Sequence, residues 1–204
     1  PIFWNFGAKP MNKIVLSTDN KNKLREIKEI LADLDIEIFG KSDIDGLDFE
    51  VVEDGETLYD NALKKADAMA KRVDLAVLAD DTGLFVNALD GEPGVHSARY
   101  ASEHDDKKNR EKLLNNLKDK EDRSAYFKTQ IILIDSNKNI IPIEGVCEGK
   151  ISEVERGDNG FGYDSIFIPD GFDKTFAEMS HEEKNEISHR ARALRNLREK
   201  LENL

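Results

Sequence analysis

The chain has 204 residues, 39% apolar and 35% charged, the balance of a soluble protein long enough for one good core or two small lobes. Its net charge of −12, from 30 basic against 42 acidic residues, argues against a nucleic-acid binder, whose affinity comes mostly from Lys and Arg neutralising phosphates. The single cysteine, Cys147, excludes an internal disulfide and fits a reducing compartment. No apolar run approaches the ~18 residues of a membrane span, so no membrane partner is expected and the expected location is the cytoplasm.

Residues 1–10 show neither helical nor strand periodicity and are read as a leader outside the fold, leaving 11–204 as a single α/β domain. Lys13 to Ser17 reads as a short apolar strand, ending in Thr18-Asp19-Asn20, residue types that turn a chain and cap a helix. Leu24, Ile27, Leu31 and Leu34 follow at spacings of three and four, so the next helix lays one face on a core, with Lys23 in its first turn. The segment 36–55 is an acidic connection with one base, Lys41. Most of it reads as solvated surface, although Glu50 and Glu53 are also suited to face a cation.

Thr57 and Asp60 are spaced as in a capping box, and Leu58, Ala62, Ala66, Met69 and Ala70 predict an amphipathic helix up to Arg72. Leu75 to Ala79 then reads as a buried strand, cut off by Asp80, Asp81 and a Thr82-Gly83 turn. Two adjacent acids leave two readings open: they open a turn, or they hold a hard cation such as Mg²⁺ and act on its water. Strand, helix, acidic connection, helix, strand is an α/β order, in which ligands gather beyond the carboxyl ends of strands.

Ser102 to Lys118 reads as a surface helix with Leu113, Leu114 and Leu117 inward. The period then changes to two: Ser124 to Ile134 and Ile140 to Gly149, joined by Ser136-Asn-Lys-Asn139, predict a hairpin, with a further strand from Lys150 to Val154. A glycine-rich turn, Gly157 to Gly162, leads to Tyr163, Asp164 and a strand over Ser165 to Ile168. In the last segment, from His181, Lys184 and Arg190 would lie about 120° apart on one continuous helix at ~100° per residue. If both serve one ligand the helix must bend, and Ser188 is the candidate N-cap of a second helix whose N–H groups would face an anion beside His189 and Arg190.

Three groups therefore carry two readings each. Thr18, Asn20 and Lys23 form either a phosphate cradle or an ordinary helix cap. Lys184, His189 and Arg190 are either an anion site or a solvated face. Phe161-Gly162-Tyr163-Asp164 either stacks an aromatic ring on a base and reads its edge, or is a turn with core aromatics.

Taken in order, these elements resemble the inosine triphosphate pyrophosphatases of the Ham1 type. The resemblance rests on Thr18, Asn20, Lys23 and Glu26; on Glu50 to Thr57; on Asn61-Ala62; on Ala79-Asp-Asp-Thr-Gly-Leu84; and on Gly94 with Ser97 to Tyr100. It continues through Phe161 to Asp164, Glu183-Lys184-Asn185 and Ser188-His-Arg190. It implies an elongated mixed β-sheet flanked by helices, with two lobes and a central nucleotide-binding cleft, usually as a homodimer. It also implies Mg²⁺-dependent hydrolysis of ITP, dITP or XTP to the monophosphate and pyrophosphate. On that resemblance Asp81 is the general base or metal-bound acid, Asp80 its partner, and Glu50 or Glu53 completes the metal site. Thr18, Asp19, Asn20, Lys21, Asn22 and Lys23, with Lys184 and Arg190, are then assigned to the triphosphate, Phe161, Gly162, Tyr163, Asp164 and His189 to the base, and Thr82 to substrate binding without a stated end. Asp19 and Asn22 depart from the family pattern where Gly is common, and Ser165 where Pro is usual. The competing readings are a Maf-type nucleotide pyrophosphatase of other specificity and a nucleotide-binding sensor without catalysis.

Overall fold

A computed structural model describes residues 12–18 and 20–203. Residues 1–10, expected to be a leader, and Asp19 lie outside the described residues. The strands are β1 (Lys13–Leu16), β2 (Glu37–Gly40), β3 (Ala76–Val86), β4 (Pro93–Gly94), β5 (Ser124–Ile134), β6 (Ile140–Ile151) and β7 (Phe167–Pro169). The α-helices are α1 (Lys21–Ile30), α2 (Leu58–Ala70), α3 (Asp106–Asn116), α4 (His181–Ile187) and α5 (His189–Glu202). One mixed sheet runs in the order β2-β1-β3-β5-β6-β7, with β4 on β3. β1 pairs in parallel with β2 and β3, whereas β4 is antiparallel to β3 and β7 to β6. Among the described residues no helix is long and apolar enough to cross a membrane.

Three expectations are corrected. The acidic connection contains a strand, β2, because Ile38 is buried and the segment pairs residue for residue with β1. The apolar run at Ala76 is not cut off by its acids: β3 continues for eleven residues through Asp80, Asp81, Thr82 and Gly83. Gly83 makes no turn; a Cβ there would stand 2.6 Å from the Gly94 carbonyl oxygen, so glycine is required by the close approach of β4. The strand expected over 150–154 is the end of β6, which stops at Ile151. The expected break at Ser188 is present: its backbone is extended (φ −64°, ψ 156°) between α4 and α5, and its Oγ accepts the Ala191 N–H at 3.1 Å.

The chain divides into two compact units. Of the described residues, the first comprises those up to Asp81, Gln130–Glu144 and the stretch from Ala193, and the second Thr82–Thr129 and Gly145–Arg192. In the first unit alternate residues of β1 face opposite ways, as a pleated strand requires. Ile14 and Leu16 join Leu78, Ile27, Leu31, Leu194 and Leu197 in one cluster. Val15 joins Val77, Ala79, Ala62, Ala66 and Met69 in the other. Its parallel strands are thus apolar on both faces and covered by helices on both. The second unit is built on Leu84, Leu113, Leu117, Phe127, Phe167 and Phe176. Cys147 lies in this core at 1% exposure, and burial pushes its thiol up to about 11, as befits a small apolar filler.

Candidate active site

The chemistry of the first unit gathers where β1 stops. The β1–β3 ladder covers only Ala76–Leu78, and the last bond of that edge runs from Ser17 N–H to Leu78 O. Beyond it the chain has turned into α1, so Asp80 and Asp81 extend past the carboxyl end of their parallel neighbour while staying inside a strand. That placement keeps them rigid, and adjacent strand positions send the two carboxylates to opposite faces. Asp80, 6% exposed, follows the face of Leu78 and meets Lys23 of α1, with Nζ 3.1 Å from Oδ1. Asp81 follows the face of Ala79 and meets α2.

There Lys65 of α2 donates to the backbone carbonyl of Asp80 and pairs with Glu53 at 3.0 Å. Burial alone would lower its pKa, but the charges of Asp80, Asp81 and Glu53 outweigh that and raise it, so Lys65 is a permanent cation. Asn61, 1% exposed and one helical turn before Lys65, bonds Asp81 through its side chain and accepts the Gly55 N–H at 2.8 Å, which anchors the connection carrying Glu53. Burial pushes the Asp81 carboxyl up to about 6. Lys65 and Asn61 pull it down, while Glu53 and Asp80 add to the rise. Its Oδ2 is buried with no hydrogen-bond partner.

The helix cap before Lys23 takes up most of the first motif. Asn20 Oδ1 accepts the N–H groups of Asn22 and Lys23 at 3.0 and 3.2 Å, and Thr18 Oγ1 accepts the Asn20 N–H at 3.1 Å. The capping reading of Asn20 thus holds. Beyond the cap, the Lys23 ammonium pairs with Asp80, and Lys21 and Asn22 lie exposed on the first turn of α1. Of the two acids expected in the connection, Glu53 reaches the field of Asp81, whereas Glu50 is exposed.

The second unit carries the aromatic and cationic motifs. Asp164, 5% exposed, accepts Lys184 Nζ at 2.6 Å and the Phe161 N–H at 3.1 Å. Phe161 is 52% exposed, with Lys184 Nζ 5.1 Å and the Arg190 guanidinium carbon 5.9 Å from its ring centre, both within cation–π range. The break at Ser188 thus allows Lys184 and Arg190 to meet one ring. Tyr163 is a core residue: it is 5% exposed, donates to Ser97 O at 2.6 Å, and burial raises its phenol pKa. His189 is buried too, stacked on Phe127 at 4.5 Å between ring centres. The Thr82 hydroxyl is bonded to that of Thr129 at 2.9 Å.

Among the described residues no three His, Cys, Asp or Glu side chains form a ready metal cage. Mg²⁺ does not need one, since it keeps waters and binds through one or two carboxylates plus substrate phosphates. The partnerless Asp81 Oδ2, with Glu53 in its field, fits that requirement. Sequence reasoning gave Asn61 no role and missed Lys65. Their signal was a polar pair four residues apart beside the buried stripe of Leu58, Ala62, Ala66 and Met69.

An α/β fold with paired cations and carboxylates past a strand end defines a class suited to phosphorylated ligands. The profile of the Ham1 family matches residues 14–200, and the chain belongs to that family. It is 45% identical to a dITP/XTP pyrophosphatase of Clostridium tetani, over 94% of this chain and 96% of that protein. It is 48% identical to a dITP/XTP pyrophosphatase of Christiangramia forsetii, over 93% and 98%. The solved structure of the Staphylococcus aureus Ham1 protein superposes with a TM-score of 0.87 at 42% identity, covering 94% of this chain and 98% of that one.

Proposed function

We propose that this chain hydrolyses non-standard purine nucleoside triphosphates, dITP, XTP and ITP, to the monophosphate and pyrophosphate, and so clears them from the nucleotide pool. The names of its relatives supply the substrate class. The observation that carries the mechanism is Asp81, a carboxylate raised to about 6 with one buried oxygen unpartnered.

In this reading Asp81 is the general base. Water forms a bond to a phosphorus of the α,β-anhydride, that anhydride bond breaks, pyrophosphate is released, and the water's proton passes to Asp81. In the metal-free protein burial raises the Asp81 pKa to about 6, which makes it a better proton acceptor than an ordinary carboxylate. Asp80 is held by Lys23 and serves as the partner rather than the base. Mg²⁺ held by Asp81 and Glu53 would supply charge neutralisation at the phosphates and a more acidic water. A triphosphate carries about four negative charges near neutral pH, and in the first unit Lys23 and Lys65 supply cations that help to offset them. Phe161 offers its exposed face to the base, and Asp164 its carboxylate to the polar edge. The family resemblance further supports a homodimer acting in the cytoplasm.

The test is pyrophosphate release from dITP, XTP, ITP, GTP and ATP at matched concentrations, with Mg²⁺ and then with excess chelator. Release from the first three alone, lost with chelator, is expected. Equal release from ATP overturns the specificity, full release in chelator overturns the metal, and no release from any of them points to a nucleotide sensor.

A further inference from the structure

Asp106 and Arg110 lie on a helix that its sequence marks as solvated surface, yet they hold one residue of the loop 157–164 by both ends of its backbone. Gly162 N–H donates to Asp106 Oδ2 at 2.9 Å, and Arg110 Nη1 donates to Gly162 O at 2.8 Å. The two residues are four apart, one turn along the same face of α3. Arg110 also donates through Nε to Glu155, whose Oε1 accepts the Ser165 hydroxyl at 2.9 Å. The Arg110 side chain is only 19% exposed, and its bond to the Gly162 carbonyl is partly buried.

The loop needs such a tether. Gly157, Gly160 and Gly162 have φ of 91°, 75° and 60°, and a chain with three such glycines has many alternative conformations to lose. Its inner side is fixed by Asp164. Beside it lies a cavity of about 420 Å³ lined by Arg110, Glu155, Gly160, Phe161 and Gly162, room into which an untethered loop can move. α3 is a firm anchor. Leu113 is fully buried, and Asn109, 1% exposed, accepts the Ala101 and Ser102 N–H groups at 2.7 and 3.0 Å and donates to Ala98 O at 3.2 Å.

We propose that Asp106 and Arg110 are positioning residues for the purine: by fixing the Gly162 peptide they hold Phe161 as a stacking platform, and they govern affinity for the base rather than for the triphosphate. The proposal rests on the pyrophosphatase reading. Arg110 suits the task because its planar fork bonds Gly162 and Glu155 at once, which an ammonium on a flexible stem does less well.

The test compares Arg110→Ala and Arg110→Lys with wild type in dITP hydrolysis, with inhibition by inorganic tripolyphosphate, which has no base, and with amide exchange at Gly162. For Arg110→Ala the KM for dITP is expected to rise about tenfold, the loss of one charge-assisted hydrogen bond, with kcat and tripolyphosphate inhibition unchanged. Arg110→Lys should fall between, and Gly162 exchange should be faster in both. Adding Asp106→Ala to Arg110→Ala should raise KM by less than the product of the single effects, since both act through one peptide. An unchanged KM, or an equal loss of tripolyphosphate affinity, overturns the proposal. Should wild type release no pyrophosphate, the functional reading fails separately, and Gly162 exchange decides the tether: faster in the variants upholds it, unchanged overturns it. If Arg110→Ala does not fold, Arg110→Lys carries the same comparison.

Discussion

Lys23 of α1 reaches Asp80 of β3, with its Nζ 3.1 Å from Oδ1, and this pairing separates the roles of two adjacent carboxylates. Asp80 has its cation, while Asp81 keeps a buried oxygen with no partner and a pKa raised to about 6. One strand thereby offers a neutralised acid and a basic one side by side.

Asp81→Asn should lower kcat by about 10²–10⁴, the range for a lost general base, and leave dITP binding within a few-fold. Single-turnover pyrophosphate release with calorimetric binding checks this; normal turnover would sink the assignment.

The same group links activity to stability. Its folded pKa lies above the ordinary value of 3.8, so the folded state holds the proton more tightly, and ionised Asp81 destabilises the fold above pH 6. The penalty, on the order of 3 kcal/mol for a shift of this size, shrinks as pH falls from 6 and is gone below 3.8. In metal-free protein Asp81→Asn should therefore be more stable than wild type at pH 8 and no more stable near pH 3.5. Denaturant unfolding at both values reads the difference, and an equal or lower midpoint at pH 8 would contradict it.

Lys65 is the cation that opposes the rise at Asp81. Lys65→Met should push the Asp81 pKa higher, move the acid limb of kcat/KM to higher pH, and destabilise the protein at pH 8 by about 3 kcal/mol, the scale for a broken buried ion pair. A pH–rate profile with an unmoved acid limb would show that Lys65 does not act through Asp81.

Lys23 should serve phosphate without regard to the base. Lys23→Met is expected to weaken ITP, GTP and inorganic tripolyphosphate alike, measured as competing inhibitors of dITP hydrolysis; a loss confined to one base would rule that role out.

Tyr163→Phe removes a buried hydrogen bond to Ser97 and no surface facing solvent. It should cost about 1 kcal/mol of stability, the usual net worth of one such bond, and leave the KM for dITP unchanged. A large KM increase at wild-type stability would restore Tyr163 to the base-binding set.

The candidate site residues were visible in the sequence because they interrupt apolar patterns. Asp80 and Asp81 break a buried run, and Ser188 breaks a helix between two cations that one face could not hold. Strand β2 was hidden because its apolar residues are few and the charges around it are many. The continuation of β3 was hidden because Asp and Gly are turn formers locally, whereas in the sheet β3 runs beside β5 and meets β4 at Leu84 and Phe85.

By itself the sequence determined the order of most elements, the family, the helix caps and the candidate acids Asp80 and Asp81, all of which follow from local spacing and residue type. The tertiary structure alone decided which acid is neutralised and which is left basic, since that depends on Lys23, Lys65, Asn61 and Glu53 arriving from separate segments. It also moved Tyr163 and His189 into the core and raised Asp106 and Arg110 from a solvated face to a tether on Gly162. Burial and pairing across the chain set those energies, and a sequence records neither until it is folded.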